Sequence, residues 1–183
     1  MFASKIILSF IACLLIFFSS IDMVWSRSVE KQEILAVLTL NVARFTTWPE
    51  QTFKAVEPIL NLCVFGNNVV QQSFEKINKK VINNRTIHII NLSRLRNLHQ
   101  CKLLYLSDID RNKLKPLLKE MQSYPVLTIG ENMEFIKAGG MVGLEKINGK
   151  IQLTINLPNI KQSDLVISSR LLKIANIVDY PTQ

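Results

Sequence analysis

Residues 138–157 read AGGMVGLEKINGKIQLTINL, and the pair at the centre decides how the rest is read. Asn148-Gly149 tolerates positive φ at both central positions of a type I′ turn, so the flanking segments are predicted to form a β-hairpin with a two-residue loop. With that loop in place Ile147 faces Lys150, Lys146 faces Ile151, Leu144 faces Leu153, Val142 faces Ile155 and Gly140 faces Leu157. One face of the ribbon then carries Val142, Leu144, Ile151, Leu153, Ile155 and Leu157. The other carries Met141, Gly143, Glu145, Gln152, Thr154 and Asn156. A half-polar ribbon of this kind suits antiparallel strands at the edge or end of a sheet.

Upstream of the hairpin, strands and helices alternate. PVLTI at 125–129 is a short strand ended by Gly130, and Glu131–Lys137 is a short helix bearing Phe135 and Ile136. Before it, Asp108 or Asp110 caps a helix over Arg111–Gln122, with Pro116 inside it. KLLYLS (102–107), TIHIINL (86–92) and ILNLCVF (59–65) are strands rich in β-formers. Gly66 stops the last of these, and Asn67 is placed to cap a helix running to about Lys76. Ile34, Leu38, Val42 and Phe45 recur at helical spacing. Their helix ends at Thr47-Trp48-Pro49, because the residue before a proline is driven out of the α region. Trp48 has two roles open to it, closing the core or stacking on a ligand. Downstream, Ser163 or Asp164 is expected to cap a last helix with Ile167, Leu171, Ile174 and Val178 as its buried stripe. The fold class that follows is α/β: a three-layer sandwich with a mostly parallel central sheet and a C-terminal antiparallel hairpin.

The chain of 183 residues is 48% apolar, enough for one domain with a real core. Residues 1–26 read as a cleaved export signal. Lys5 is the charged leader, Ile6–Phe18 is an apolar run too short to span a bilayer comfortably, and Val24 and Ser26 precede a cleavage site before Arg27. The mature domain is then 27–183, and it keeps the whole net charge of +8. Its basic residues are scattered, with no run of five and no interleaved aromatics, which argues against nucleic-acid binding. Cys63 and Cys101 remain after processing. An even pair in an exported chain points to one disulfide, with two buried thiols on neighbouring strands as the alternative.

Catalytic patterns are missing. No nucleophile elbow or Ser-His-Asp arrangement is visible, and His88 and His99 are too few to propose zinc. Ser168-Ser169 has an ordinary explanation in hydrogen bonds to a helix backbone. Neither a metal nor a cofactor is expected, and the chain reads as a non-enzyme.

Several stretches together resemble the YfiR family of periplasmic proteins. They are Val42–Pro49 (VARFTTWP), Leu62–Gly66 (LCVFG), Gln100–Ser107 (QCKLLYLS), Val126–Gly130 (VLTIG), Phe135–Leu144 (FIKAGGMVGL), Ile155–Leu157 (INL) and Ser168–Ala175 (SSRLLKIA). They stand in family order and cover almost all of the mature chain. The resemblance implies a periplasmic α/β domain, often homodimeric. It also implies a regulator that binds the periplasmic sensor part of an inner-membrane diguanylate cyclase and represses it, lowering cyclic di-GMP and biofilm formation. Cys63 and Cys101 fall where relatives carry a structural cysteine pair. No cysteine lies near Gly139-Gly140, where some relatives carry a redox-responsive pair, so sensing by that route is not expected. For partner binding the hairpin is the expected surface, through Val142, Ile155 and Leu157, with burial under a helix as the competing role. The alternative function is a small-molecule-binding periplasmic sensor that gates another signalling protein, motivated by Trp48 and the glycine-ended strands.

Overall fold

The computed structural model describes residues 28–53 and 58–180; the export signal read over 1–26 lies outside the described residues. Helix α1 occupies 28–44. It is followed by β1 (Thr46–Thr47), β2 (Ile59–Phe65), α2 (Asn68–Glu75), β3 (Val81–Ile82) and β4 (Arg85–Leu92). A 3-10 turn at Leu98–Gln100 leads into β5 (Leu103–Leu106), α3 (Arg111–Met121), β6 (Leu127–Gly130) and α4 (Met133–Lys137). The chain ends with β7 (Val142–Ile147), β8 (Lys150–Asn156), α5 (Leu157–Gln162), β9 (Val166–Ile167), α6 (Ser169–Leu172) and β10 (Asn176–Val178).

Local chemistry explains where these elements start. Asn67, Asp110 and Asn132 each accept a backbone N–H of the following helix, at Val70, Asn112 and Phe135, satisfying donors that a helix cannot pair internally. Pro116 lies inside α3 without ending it. Asn148 and Gly149 take φ of 50° and 81°, as the tight turn demands. The hairpin register is the one expected, from Ile147↔Lys150 to Val142↔Ile155. It stops there, because Leu157 opens α5 with Pro158 in its first turn, where a missing N–H costs nothing.

Eight strands form one sheet in the order β10-β8-β7-β6-β5-β2-β4-β3. The run from β4 through β2, β5 and β6 to β7 is parallel. Alternate residues enter two separate cores. Leu60, Leu62, Val64, Leu103 and Tyr105 pack under α1 and α2, whereas Cys63, Leu104 and Leu106 pack under α3 and α4. The three-layer sandwich is therefore observed. Cys63 and Cys101 form a disulfide with Cα atoms 5.7 Å apart, buried in the second core.

Three expectations need correction. The buried stripe of α1 is Leu35, Ala36, Thr39, Val42 and Ala43, whereas Ile34 is 44% exposed. The helix is rotated because its more continuous run of small and apolar side chains meets the sheet. The predicted long last helix does not exist. Its span is divided into α5, β9, α6 and β10, and Ile174 is exposed rather than buried. Finally, the hairpin is not the sheet edge: β10 pairs in parallel with β8 outside it, and that added pairing offsets the loss of helix.

The Gly-rich turn after α4 has a steric reason. A Cβ at Gly140 would sit 2.1 Å from Phe135 Cε1, and one at Gly130 would sit 2.4 Å from Phe135 Cγ. The Phe135 ring thus lies between two backbones and locks α4 onto β6 and β7. Gly139 adopts φ 108° after the helix end, the left-handed conformation that glycine takes at lowest cost.

Two stability outcomes follow. Gly140→Ala should cost roughly 1–3 kcal/mol through overpacking, and pairing it with Phe135→Leu should recover part of the loss in urea unfolding. Replacing Cys63 and Cys101 together by Ala opens a loop with a sequence separation of 38. The chain-entropy model puts the destabilisation at about 4 kcal/mol, which unfolding of the double variant beside the wild type would measure.

Candidate functional site

The two helical layers leave parts of the sheet uncovered, and these openings hold the site candidates. The first is an apolar groove between α1 and the outer half of the hairpin. Leu38, Val42 and Phe45 form one wall, Leu144, Ile151 and Leu153 the floor, and Leu171, Ile174 and Ala175 the other wall, around about 620 Å³. Ile151 and Leu153 are only half-buried, and Ile174 is 76% exposed. The groove exists because α6 is a single turn: Ser168 caps it at Arg170, and the chain then leaves for β10 and carries Ile174 outward. Asn41, Gln152, Lys173 and Asn176 set a polar margin to this apolar surface.

The expected partner-binding residues sit differently. Val142 and Ile155 are each 0% exposed, in the core beneath α1. They face each other across the hairpin as expected, but the lower half of the ribbon is covered on both faces. A partner therefore reaches neither without opening the sheet. Leu157, at the start of α5, is half-buried. The part of the predicted apolar face still open to a partner is its upper end, Ile151 and Leu153. The sequence reading missed Ile174 because it placed this residue on a buried helical stripe.

The second opening is a polar crevice at the carboxyl ends of β5 and β6, the place where open α/β sheets bind ligands. It encloses about 620 Å³ among Lys31, Ser107, Asp108, Arg111, Glu131, Glu145 and Lys146, with other side chains. At its base Lys31 Nζ meets Glu131 Oε2 at 2.6 Å, and the Gln32 side-chain amide donates to the same carboxylate at 3.3 Å. The buried Tyr105 hydroxyl lies close to the Glu131 carboxylate. Burial, then the Glu131 charge, raises Tyr105 well above the ordinary phenol value. Burial would also raise Glu131, but hydrogen bonds from Lys31 and Ser107 and the charge of Lys31 outweigh it and hold the carboxyl below its usual range. The pair ties the first turns of α1 to the end of β6. Arg111 and Glu134 pair at 2.6 Å on the rim. With acids and bases so interleaved, and the best-placed ones engaged with each other, the crevice is a structural latch.

Trp48 takes the core-closing role. It is buried, its Nε1 donates to the Lys102 carbonyl at 3.2 Å, and Phe53 packs edge-on against it. His88 and His99 are exposed. Among the described residues no group of three or more His, Cys, Asp or Glu is disposed to hold a metal ion. Among them also, no helix is long and apolar enough to cross a membrane.

A family model for a domain of unknown function, described as YfiR/HmsC-like, matches residues 32–176. No curated protein matches the chain. Among solved structures, a conserved domain protein from Vibrio cholerae O1 biovar eltor str. N16961 is similar at 11% identity and a TM-score of 0.44; the match covers 64% of this chain and 54% of that one.

A pH outcome follows from Glu131. Because its carboxyl titrates lower in the folded chain, the pair's contribution to stability is complete above about pH 4.3, the ordinary glutamate value. It is lost as pH falls through the lower folded value. Glu131→Gln should flatten the acid limb of stability against pH, measured by denaturant unfolding across that range. An unchanged slope would count against the latch.

Proposed function

The chain belongs to the YfiR/HmsC-like family, and from that premise we propose that it is a periplasmic regulatory protein. In this reading residues 1–26 direct export and are removed. The mature domain binds the periplasmic sensor region of an inner-membrane diguanylate cyclase and holds it inactive, which lowers cyclic di-GMP and biofilm formation. It works by contact rather than chemistry, and the family resemblance favours a homodimer as the acting form.

The observation that carries this reading is the apolar groove beside the hairpin, with Ile174 projecting from its wall. Burying one isoleucine side chain stabilises a complex by about 1.5–3 kcal/mol. Ile174, Ile151 and Leu153 together supply the anchor that a protein interface needs near its centre. Lys173 lines the same groove and provides a polar rim. The contact proposed for Val142 and Ile155 thereby passes to the open end of the same ribbon, with Leu157 outside it.

Two measurements test the proposal. Deleting the gene while the partner cyclase is expressed should raise cellular cyclic di-GMP; an unchanged level would overturn the regulatory role. Ile174→Asp should leave the fold intact, since this side chain is mostly in water, and weaken binding to the cyclase sensor region at least about tenfold, as loss of one buried apolar anchor predicts. Undiminished binding would place the interface elsewhere.

A further inference from the structure

Among the described residues, no helix covers the amino-terminal corner of the sheet on the face that α3 and α4 cover elsewhere. Ile59 and Asn61 of β2, His88 of β4 and Lys102 just before β5 share that face. Asn61 and His88 are register partners, and the Lys102 amide donates to the Asn61 carbonyl at 2.8 Å. The 3-10 turn brings His99 and Gln100 over the corner, where Gln100 is tied down through its carbonyl to the Asn61 side chain at 3.1 Å. Thr52 and Phe53 close the remaining side of a recess of about 480 Å³. It contains both histidines of the chain.

The chemistry of the lining is one-sided. Among the described residues that line it there are an ammonium, two imidazoles, two amides and a hydroxyl, and no carboxylate. Lys102 is partly withdrawn from water, and burial lowers its pKa. Among the described residues it has no ion-pair partner. An anion brought to this ammonium would pair with it through a charge-assisted hydrogen bond. Thr52 adds a hydroxyl to the lining. The apolar part of the recess is equally defined. Phe53 is held edge-on to Trp48 and backed by the Arg85 guanidinium 3.8 Å from its ring centroid. Its ring and Ile59 form an apolar wall beside the cationic end.

We propose that this recess binds a small organic anion with a flat apolar body, its carboxylate or phosphate held by Lys102 with His88 and His99 and its body laid against Phe53 and Ile59. The site lies apart from the groove assigned to the cyclase and does not depend on that reading, so either can fail alone.

The test uses the mature chain, 27–183, with benzoate and phenyl phosphate as probes. Benzamide, benzylamine and inorganic phosphate are the controls. Because the mature chain holds only two histidines, imidazole NMR signals report the recess directly, and His88→Gln and His99→Gln assign them. Both aromatic anions should move both imidazole signals, and Lys102→Met should weaken their binding about tenfold or more, the loss expected of one charge-assisted hydrogen bond. Which anion binds more tightly distinguishes a carboxylate from a phosphate ligand. Benzamide or benzylamine binding as well as benzoate would overturn the proposal, as would inorganic phosphate matching phenyl phosphate or an undiminished affinity in Lys102→Met. Should Lys102→Met fail to fold, His88→Gln, altered only at an exposed side chain of β4, must show the same loss of affinity.

Discussion

Everything in this molecule answers to one constraint: a parallel sheet must be covered on both faces. In β2 and β5, successive side chains enter opposite cores, Leu62 and Leu103 on one side, Cys63 and Leu104 on the other. Neither face can be left wet without exposing a continuous apolar layer. The chain meets the demand with α1 and α2 on one face and α3 and α4 on the other. Discrete fastenings hold the sheet and its layers together. A disulfide joins β2 to the start of β5, an aromatic ring is clamped between two glycines, and an ion pair joins α1 to the end of β6.

The same constraint explains where surface chemistry appears. The sheet has eight strands, more than these helices can roof, so openings are left at its margins. Over the hairpin, short α6 leaves an apolar groove. At the carboxyl ends of the central strands the charges neutralise one another and strap the fold. At the amino-terminal corner the strands present an ammonium and imidazoles beside an aromatic wall. Each opening has a different character because a different stretch of chain frames it. One domain can thus offer a protein-binding surface and, on the other side of the sheet, a place suited to a small anion.

Much of this was legible in the residues alone. The alternation of strands and helices, the caps at Asn67 and Asp110, and the pairing of Cys63 with Cys101 are set by neighbours in sequence or by a small count of alternatives. So is every rung of the hairpin from Ile147↔Lys150 to Val142↔Ile155. The candidate site was less legible. The ribbon's apolar face was identified, but its fully buried end was mistaken for its open end, and Ile174 was assigned to the core. A period of two or of 3.6 says which side chains share a face; it does not say whether that face is roofed.

By itself, then, the sequence determined local geometry: turn type, register, helix starts and the class of the fold, all governed by short-range sterics and hydrogen bonds. Only the tertiary structure decided which apolar faces are used. It turned α1 so that Leu35 and Ala36 meet the sheet while Ile34 meets water. It also drew Asn176–Val178 out of a helix and alongside β8. Those outcomes depend on competition for cover between segments distant along the chain, a non-local energy that local periodicity does not encode.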